Sequence, residues 1–342
     1  MIDMKNFAAI GENIHCSRIF KRGGVSSVEL PGGGEGIKYV SASGEPRVLA
    51  IPGNWGDLSP AYNDGKIKHI AVALHQATQG KGDDQKAGED YLAAAAARQV
   101  NAGAAFLDVN VDEYTNDAAL RVKAMRWLVS FVSKRAEIPI SVDSSSVEAL
   151  AAGLESCRDL GRPHMVNSVS LDRTGAVEVI RRFKSEAIVS AAGAEGMPSA
   201  VEERMANFEK IIALLDQAGV PRAHMHLDPL VFPISTDPMH GKNFLETTRQ
   251  AKQKFKGVRL SGGFSNVSFG MPQRKLLNMV FTYLAVEAGA SSGIIDPVTM
   301  SPQDIAAMDE SSEGFRLAKA FLTGEDMYGM EFIAAHREGR LG

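Results

Sequence analysis

Cysteine is nearly absent: Cys16 and Cys157 are the only two in 342 residues, far apart and in no metal-ligand spacing. That excludes a disulfide framework and a cysteine-based metal site, and it fits a reduced, cytosolic protein. Long apolar runs are lacking as well. No stretch of about 18 consecutive apolar residues occurs, and the opening residues have no apolar signal-peptide core, so membrane-spanning and secreted readings are not expected. Nor does one sign of charge dominate. Lys and Arg number 37 against 41 Asp and Glu, a net charge of −4, which argues against nucleic acid or an anionic membrane as the main partner. A hydrophobic share of 44% and a charged share of 23% are those of an ordinary globular chain and exclude disorder or coiled coil. What is in excess is glycine, with 33 residues, against a usual share of about 7%.

Short apolar runs alternate with helix-period segments eight times. The expected strands are Phe7–Glu12, Ala105–Asn110, Pro139–Asp143, His164–Ser168, Ala187–Ala191, His224–Val231, Val258–Ser268 and Gly293–Pro297, each short and β-branched or aromatic as in strands covered on both faces. Between them, Val201, Met205, Phe208, Ile212 and Leu215 form one apolar helical stripe; Leu120, Ala124, Trp127 and Phe131 form another; Leu277, Val280, Phe281 and Leu284 a third. Ser145 with Glu148 reads as a capping box, Ser301-Pro302 as an N-cap and N1 proline, and Gly219 and Gly289 as C-terminal helix caps. Strict strand–helix alternation of this kind predicts a (β/α)8 TIM barrel, with a doubly wound open sheet as the lesser alternative.

One segment breaks the rhythm. About 70 residues, 16–85, separate the first strand from the first barrel helix, where a handful would do. The segment is glycine-rich but carries Tyr39, Ile51, Trp55 and Tyr62, which gives it something to bury. It is expected to be a flexible insertion over the catalytic face of a single barrel domain (1–342), with its own hairpin and a helix near residues 67–76.

In such a barrel, function collects at the C-terminal strand ends. Here those ends finish in Glu12, Asp108 with Asn110, Asp143, Asn167, Asp228, Asn266 and Asp296. Any one of them reads equally well as a helix cap, but the set points to a shared binding site, because buried polar groups need partners. Strand parity puts Asp108 and Asn110 on one side, and likewise Asn266 and Ser268. With acceptors and amides but no lysine, the set suits a flat neutral heterocycle rich in N–H donors. A carboxylate takes two parallel hydrogen bonds from an amino group and an adjacent ring N–H, the edge of a guanine or a pterin.

The run Ser265-Asn266-Val267-Ser268 with Gly270 and Arg274 resembles the pterin-binding methyltransferases, the family of methyltetrahydrofolate:corrinoid methyltransferase and of the folate domain of cobalamin-dependent methionine synthase. Gly11-Glu12, Leu107-Asp108-Val109-Asn110, Val142-Asp143-Ser144, Val166-Asn167-Ser168 and Leu227-Asp228-Pro229 match in the family's order. The resemblance implies a cytoplasmic enzyme, a homodimer, tetrahydrofolate as methyl carrier, and a corrinoid held by a partner protein, since no Asp-x-His-x-x-Gly cobalamin motif occurs here. By the same resemblance, Asp143, Asn167 and Asp228 hold the pyrimidine edge of the pterin and Asn266 hydrogen-bonds near N5. Asp108 and Asn110 form the polar floor, Arg274 is the loop arginine, and Glu12 and Ser268 are further pterin-binding candidates. The chain departs from the family at Glu12-Asn-Ile-His15, where Glu-Arg-Ile-Asn is usual, and in the residue 16–85 segment.

Three other functions stay open. Dihydropteroate synthase shares the barrel and the pterin pocket, but its Ser-x-Arg-Gly loop has no counterpart after the second strand, where this chain reads Asp112-Glu-Tyr-Thr-Asn-Asp117. A metal-dependent barrel hydrolase would use His224 and His226 as ligands, although one of the two reads more simply as a satisfied core histidine. A folate-binding protein without catalysis is the third.

Overall fold

The computed structural model describes residues 2–341. Eight strands make one sheet: β1 (Ala8–His15), β2 (Phe106–Asn110), β3 (Ile140–Asp143), β4 (Met165–Val169), β5 (Glu186–Ser190), β6 (Met225–Asp228), β7 (Arg259–Leu260) and β8 (Ser292–Ile295). Their order is β7-β6-β5-β4-β3-β2-β1-β8. The two ends of that order are joined: Ser291 and Ile294 donate their N–H groups to the carbonyls of Leu260 and Gly262, each at 2.9 Å. Each strand is followed by a helix: α1 (Asp83–Asn101), α2 (Ala118–Ser133), α3 (Val147–Glu155), α4 (Ala176–Phe183), α5 (Val201–Gln217), α6 (His240–Lys254), α7 (Arg274–Ala288) and α8 (Glu313–Leu322). This is the connectivity of a (β/α)8 barrel. No helix among the described residues is long and apolar enough to cross a membrane.

Two compact units share the chain, one of residues 1–11, 103–105 and 165–342, the other of residues 12–102 and 106–164. In the first, α5 buries Met205, Phe208, Ile211, Ile212 and Leu215, and α7 buries Leu277, Val280, Phe281 and Leu284, the stripes their periodicity predicts. Phe244, Phe264 and Phe281 meet with ring centres 5.2–5.9 Å apart and close the core behind β7. Gly293 is required here, since a Cβ would stand 2.3 Å from the ring of Phe264.

Helix α2, in the second unit, departs in part from the expected stripe. Ala124 and Phe131 of that stripe are buried and Trp127 is half-buried, but the buried face also takes in Met125, Leu128, Val129 and Val132, while Leu120 is exposed. The cap of α3 falls one residue later than expected: the N-cap is Ser146, whose Oγ accepts from the Ala149 N–H at 3.2 Å. Ser301 and Pro302 cap the turn Pro302–Ala306 as expected, and both cysteines are free.

Residues 16–85 are folded rather than a flexible loop. Residues 19–21 pair antiparallel with 66–68, and a three-stranded antiparallel sheet is built from 27–29, 35–40 and 46–50. The expected helix lies at His69–Gln79, after two short turns at 55–58 and 60–63. Ile37, Leu49, Trp55 and Ile67 supply a core. The segment is fastened to α1: Tyr39 Oη donates to Asp90 at 2.8 Å, Arg98 donates to the Val40 carbonyl at 3.1 Å, and Tyr91 Oη bonds His69 Nδ1 at 2.9 Å. Gly88 of α1 lets the helix His69–Gln79 approach closely, for a Cβ there would lie 2.5 Å from the Ala77 nitrogen.

Candidate functional site

The second unit carries one half of the expected residues. The register of β2 against β3 sets Asn110 opposite Asp143 and Asp108 opposite Ser141. Asn110 Nδ2 donates to Asp143 Oδ2 at 2.9 Å. His15, the last residue of β1, places Nε2 at 2.8 Å from Asp108 Oδ2. Asp108 is fully buried, whereas Asp143 keeps part of its surface open. Ligand atoms of His15, Asp108 and Asp143 all lie within 4.8 Å of one another. Glu12 is drawn aside by Arg18, whose Nη2 is 3.2 Å from its carboxylate and whose Nε donates to its carbonyl. Asp112 accepts from Ser144 Oγ at 2.6 Å and from the Ser145 N–H at 2.7 Å, tying the loop after β2 to the loop after β3.

Crowding of carboxylates controls the chemistry of this half. Burial, reinforced by the charge of Asp108, pushes the Asp143 carboxyl up to about 7, although His15 and the Asn110 hydrogen bond oppose the rise. For His15, burial disfavours the charge, but the hydrogen bond and charge of Asp108, with Asp143 and Glu12 behind it, outweigh that and raise the imidazole above its usual value. The sequence marked His15 as a departure from the family; its geometry makes it a member of the cluster.

The first unit carries the other half. Asp228 ends β6 beside Ser190 of β5 and accepts from the Leu230 N–H at 2.7 Å. Burial pushes its carboxyl up to about 6, moderated by that N–H and by the charge of Arg204. Arg204 itself is fully buried in α5, with no hydrogen-bond partner at Nε, Nη1 or Nη2 and its guanidinium 5.4 Å from the Phe232 ring centre. No sequence argument singled it out. The signal was there, since an arginine four residues before Phe208 interrupts the apolar stripe of α5. Asn167 sits buried in β4, and the Asn167–Ser168 peptide is cis.

The seventh strand needs a correction. It is only two residues long, and after Gly263 the chain winds into a 3-10 turn over Phe264–Asn266. Asn266 and Ser268 are therefore not alternate residues of a strand, and the parity argument for them fails. Asn266 is exposed, resting against Gly263, where a Cβ would come 3.0 Å from its Nδ2. Ser268 is buried and accepts from Arg274 Nε at 3.1 Å. Arg274 also donates to the Ser265 carbonyl at 3.1 Å, so it braces the loop that presents Asn266. Asp296 closes the turn after β8 by accepting from the Val298 N–H at 3.0 Å.

Of the histidine pair, His226 is the satisfied core histidine expected, and only the place of His224 is corrected. His224 lies in a 3-10 turn before β6. His226 is buried with both ring nitrogens engaged, Nδ1 at 2.7 Å from Ser292 Oγ and Nε2 at 2.6 Å from Glu186 Oε2. That leaves no ring nitrogen of His226 for a metal.

Residues 81–296, more than half of the chain, match the family of pterin binding enzymes. The chain belongs to that family. A methylcorrinoid:tetrahydrofolate methyltransferase of Eubacterium limosum is 25% identical over 259 residues, 74% of this chain and 90% of that protein. Among solved structures, the dihydropteroate synthase of Xanthomonas albilineans in complex with indole-2-carboxylic acid and 6-chloroguanine aligns with a TM-score of 0.53 at 17% identity, covering 66% of this chain and 86% of that one. The Stenotrophomonas maltophilia enzyme aligns at 0.51 and 16% identity, covering 66% and 87%. These structural neighbours share the barrel fold. Fold alone does not carry activity.

Proposed function

We propose that this pterin-binding enzyme moves a methyl group between N5 of tetrahydrofolate and the cobalt of a corrinoid carried by a separate protein. The observation that carries the reading is the pair of carboxyl groups, Asp143 and Asp228, each at a strand end and each raised in pKa by burial. Groups held this way gain by accepting hydrogen bonds from a donor edge, and a pterin offers an amino group beside a ring N–H. Asn110 fixes the orientation of Asp143, and Asn167 adds a buried carboxamide in the middle of β4 rather than at its end. An analogue without those donors would leave the carboxylates unpaired and be rejected.

When bound, the corrinoid cobalt supplies the group that accepts or gives up the methyl. The chain's own residues bind, orient and stabilise charge. Tetrahydrofolate leaves readily only when N5 gains positive character, and the exposed carboxamide of Asn266 suits a contact at that atom. Arg274 and Ser268 keep the loop in place. The relative from Eubacterium limosum supports this chemistry by its name. A homodimer, a cytoplasmic setting and one barrel domain with an insertion over residues 16–85 belong to the same proposal; light scattering tests the first.

The decisive experiment mixes cobalt(I) cobalamin with methyltetrahydrofolate, and methylcobalamin with tetrahydrofolate, and follows the cobalt spectrum. Methyl transfer in one direction or both is expected. Its absence in both directions would overturn the reading.

A further inference from the structure

The pterin reading uses Asp108 and Asp143 but gives no role to His15, whose ring nitrogen and their carboxylate oxygens all lie within 4.8 Å of one another. We infer that His15 is a positioning residue that pairs with Asp108 and so frees Asp143 to serve as a carboxylate, making the seating of a donor-rich heterocycle edge on Asp143 release a proton. This rests on the reading that Asp143 takes the amino edge of the pterin.

Geometry comes first. His15 Nε2 bonds Asp108 Oδ2 at 2.8 Å, and Asp108 is fully buried. Asn110 occupies Asp143 Oδ2. The charged groups that bear on Asp143 are Asp108 from β2, Asp112 from the loop after it, and His15 from β1. Glu12 bears on His15 and is paired with Arg18. Asp112 is engaged by Ser144 and Ser145. Asp108, Asp143 and Glu12 favour the charged form of His15, and in turn the charge of His15 favours the carboxylate of Asp143.

Burial and the charge of Asp108 push the free Asp143 carboxyl up to about 7. As the neutral acid it carries a donor of its own, which would oppose a ring N–H. As the carboxylate it accepts two parallel bonds. Binding therefore converts a carboxylic acid to a carboxylate and passes one proton to solvent, and no other bond changes. Affinity should weaken about tenfold for each pH unit below the titration point of the free protein and level off above it. In His15→Asn the imidazole's contribution to lowering the Asp143 pKa is gone, Asp143 holds its proton to higher pH, and the break in affinity moves upward.

Calorimetric titration with tetrahydrofolate under anaerobic conditions, from pH 5.5 to 9 in buffers of differing ionisation enthalpy, tests this. The wild type should release up to one proton below neutrality and almost none at pH 9. His15→Asn, or His15→Gln should the first variant fail to fold, should bind at least tenfold more weakly at pH 7 yet recover wild-type affinity by pH 9. An equal loss at every pH would make His15 merely structural and overturn the inference, as would wild-type binding without proton release. No tetrahydrofolate binding at any pH would overturn the pterin reading, and the inference with it.

Discussion

Arg204 and Asp228 are both buried and act on each other through space, with no hydrogen bond joining them. Burial lowers the pKa of the guanidinium, and the charge of Asp228 only partly offsets that. A cation enclosed in this way is costly to fold around, yet it helps keep the opposite carboxyl group ionised.

Arg204→Met should therefore separate function from stability. Without the neighbouring charge, Asp228 holds its proton more tightly, and folate affinity at pH 7 should fall by about tenfold. Thermal stability should hold or rise, because an apolar side chain replaces a buried, unpartnered cation. Titration and melting curves measure the two effects; a lower Tm with unchanged affinity would remove Arg204 from the site.

Asn266→Ala should slow the chemical step by about 10²–10³-fold, the scale for one transition-state donor, and should change folate affinity much less. Stopped-flow observation of the cobalt spectrum separates rate from binding. An unaltered rate constant would free Asn266 of its role at N5.

Asp143→Asn should abolish the ionisable partner of the pterin edge and at the same time stabilise the fold. A carboxyl group raised to about 7 in the folded state, against an ordinary 3.8 unfolded, lowers stability progressively as pH rises between those values. The gain from the substitution should thus be full above pH 7, a Tm rise of at least about 2 °C, and should shrink toward pH 4. A gain that grows on acidification would contradict the assignment.

Glu186 presents the opposite case. It holds the buried His226 at 2.6 Å and is met by Arg259 at 3.2 Å. Glu186→Ala should cost about 1–3 kcal/mol, the scale for leaving a buried imidazole nitrogen unsatisfied, and leave folate affinity intact. Both Glu186 and His226 have lowered pKa values in the fold, so the unfolded chain takes up their protons first. The wild-type stability from this pair should be present above about pH 6.5 and drain away as the pH falls. Urea melts at pH 8 and pH 5 compare the two conditions.

The barrel was legible because parallel strands buried on both faces read as apolar runs, and α5 and α7 announce themselves by period. Strand-end residues such as Asn110, Asp143 and Asp228 could be placed for the same reason, since a strand fixes where its last side chain stands, and Asp108 followed from its alternation with Asn110. The loop after β7 could not. After Gly263 the chain winds into the turn Phe264–Asn266, whereas the apolar strand pattern runs on through Ser268. Leu120 misled in a similar way: an apolar residue at a helix start fits a stripe by spacing, while packing buries Ala124 and Phe131 of that stripe together with Met125 and Leu128 and leaves Leu120 outside. The partnership of His15 with Asp108 joins residues 93 positions apart, which no local pattern encodes.

The fastening of residues 16–85 to α1 bears on how such a protein can be taken apart or recombined. Asp90, Tyr91 and Arg98 are residues of an ordinary barrel helix, yet their partners are Tyr39, His69 and Val40. Joining His15 directly to Asp83 would strip those partners away and bare the apolar side of the helix, so excision would not yield a smaller working barrel. In a chimera, the inserted sheet and α1 have to travel as one piece.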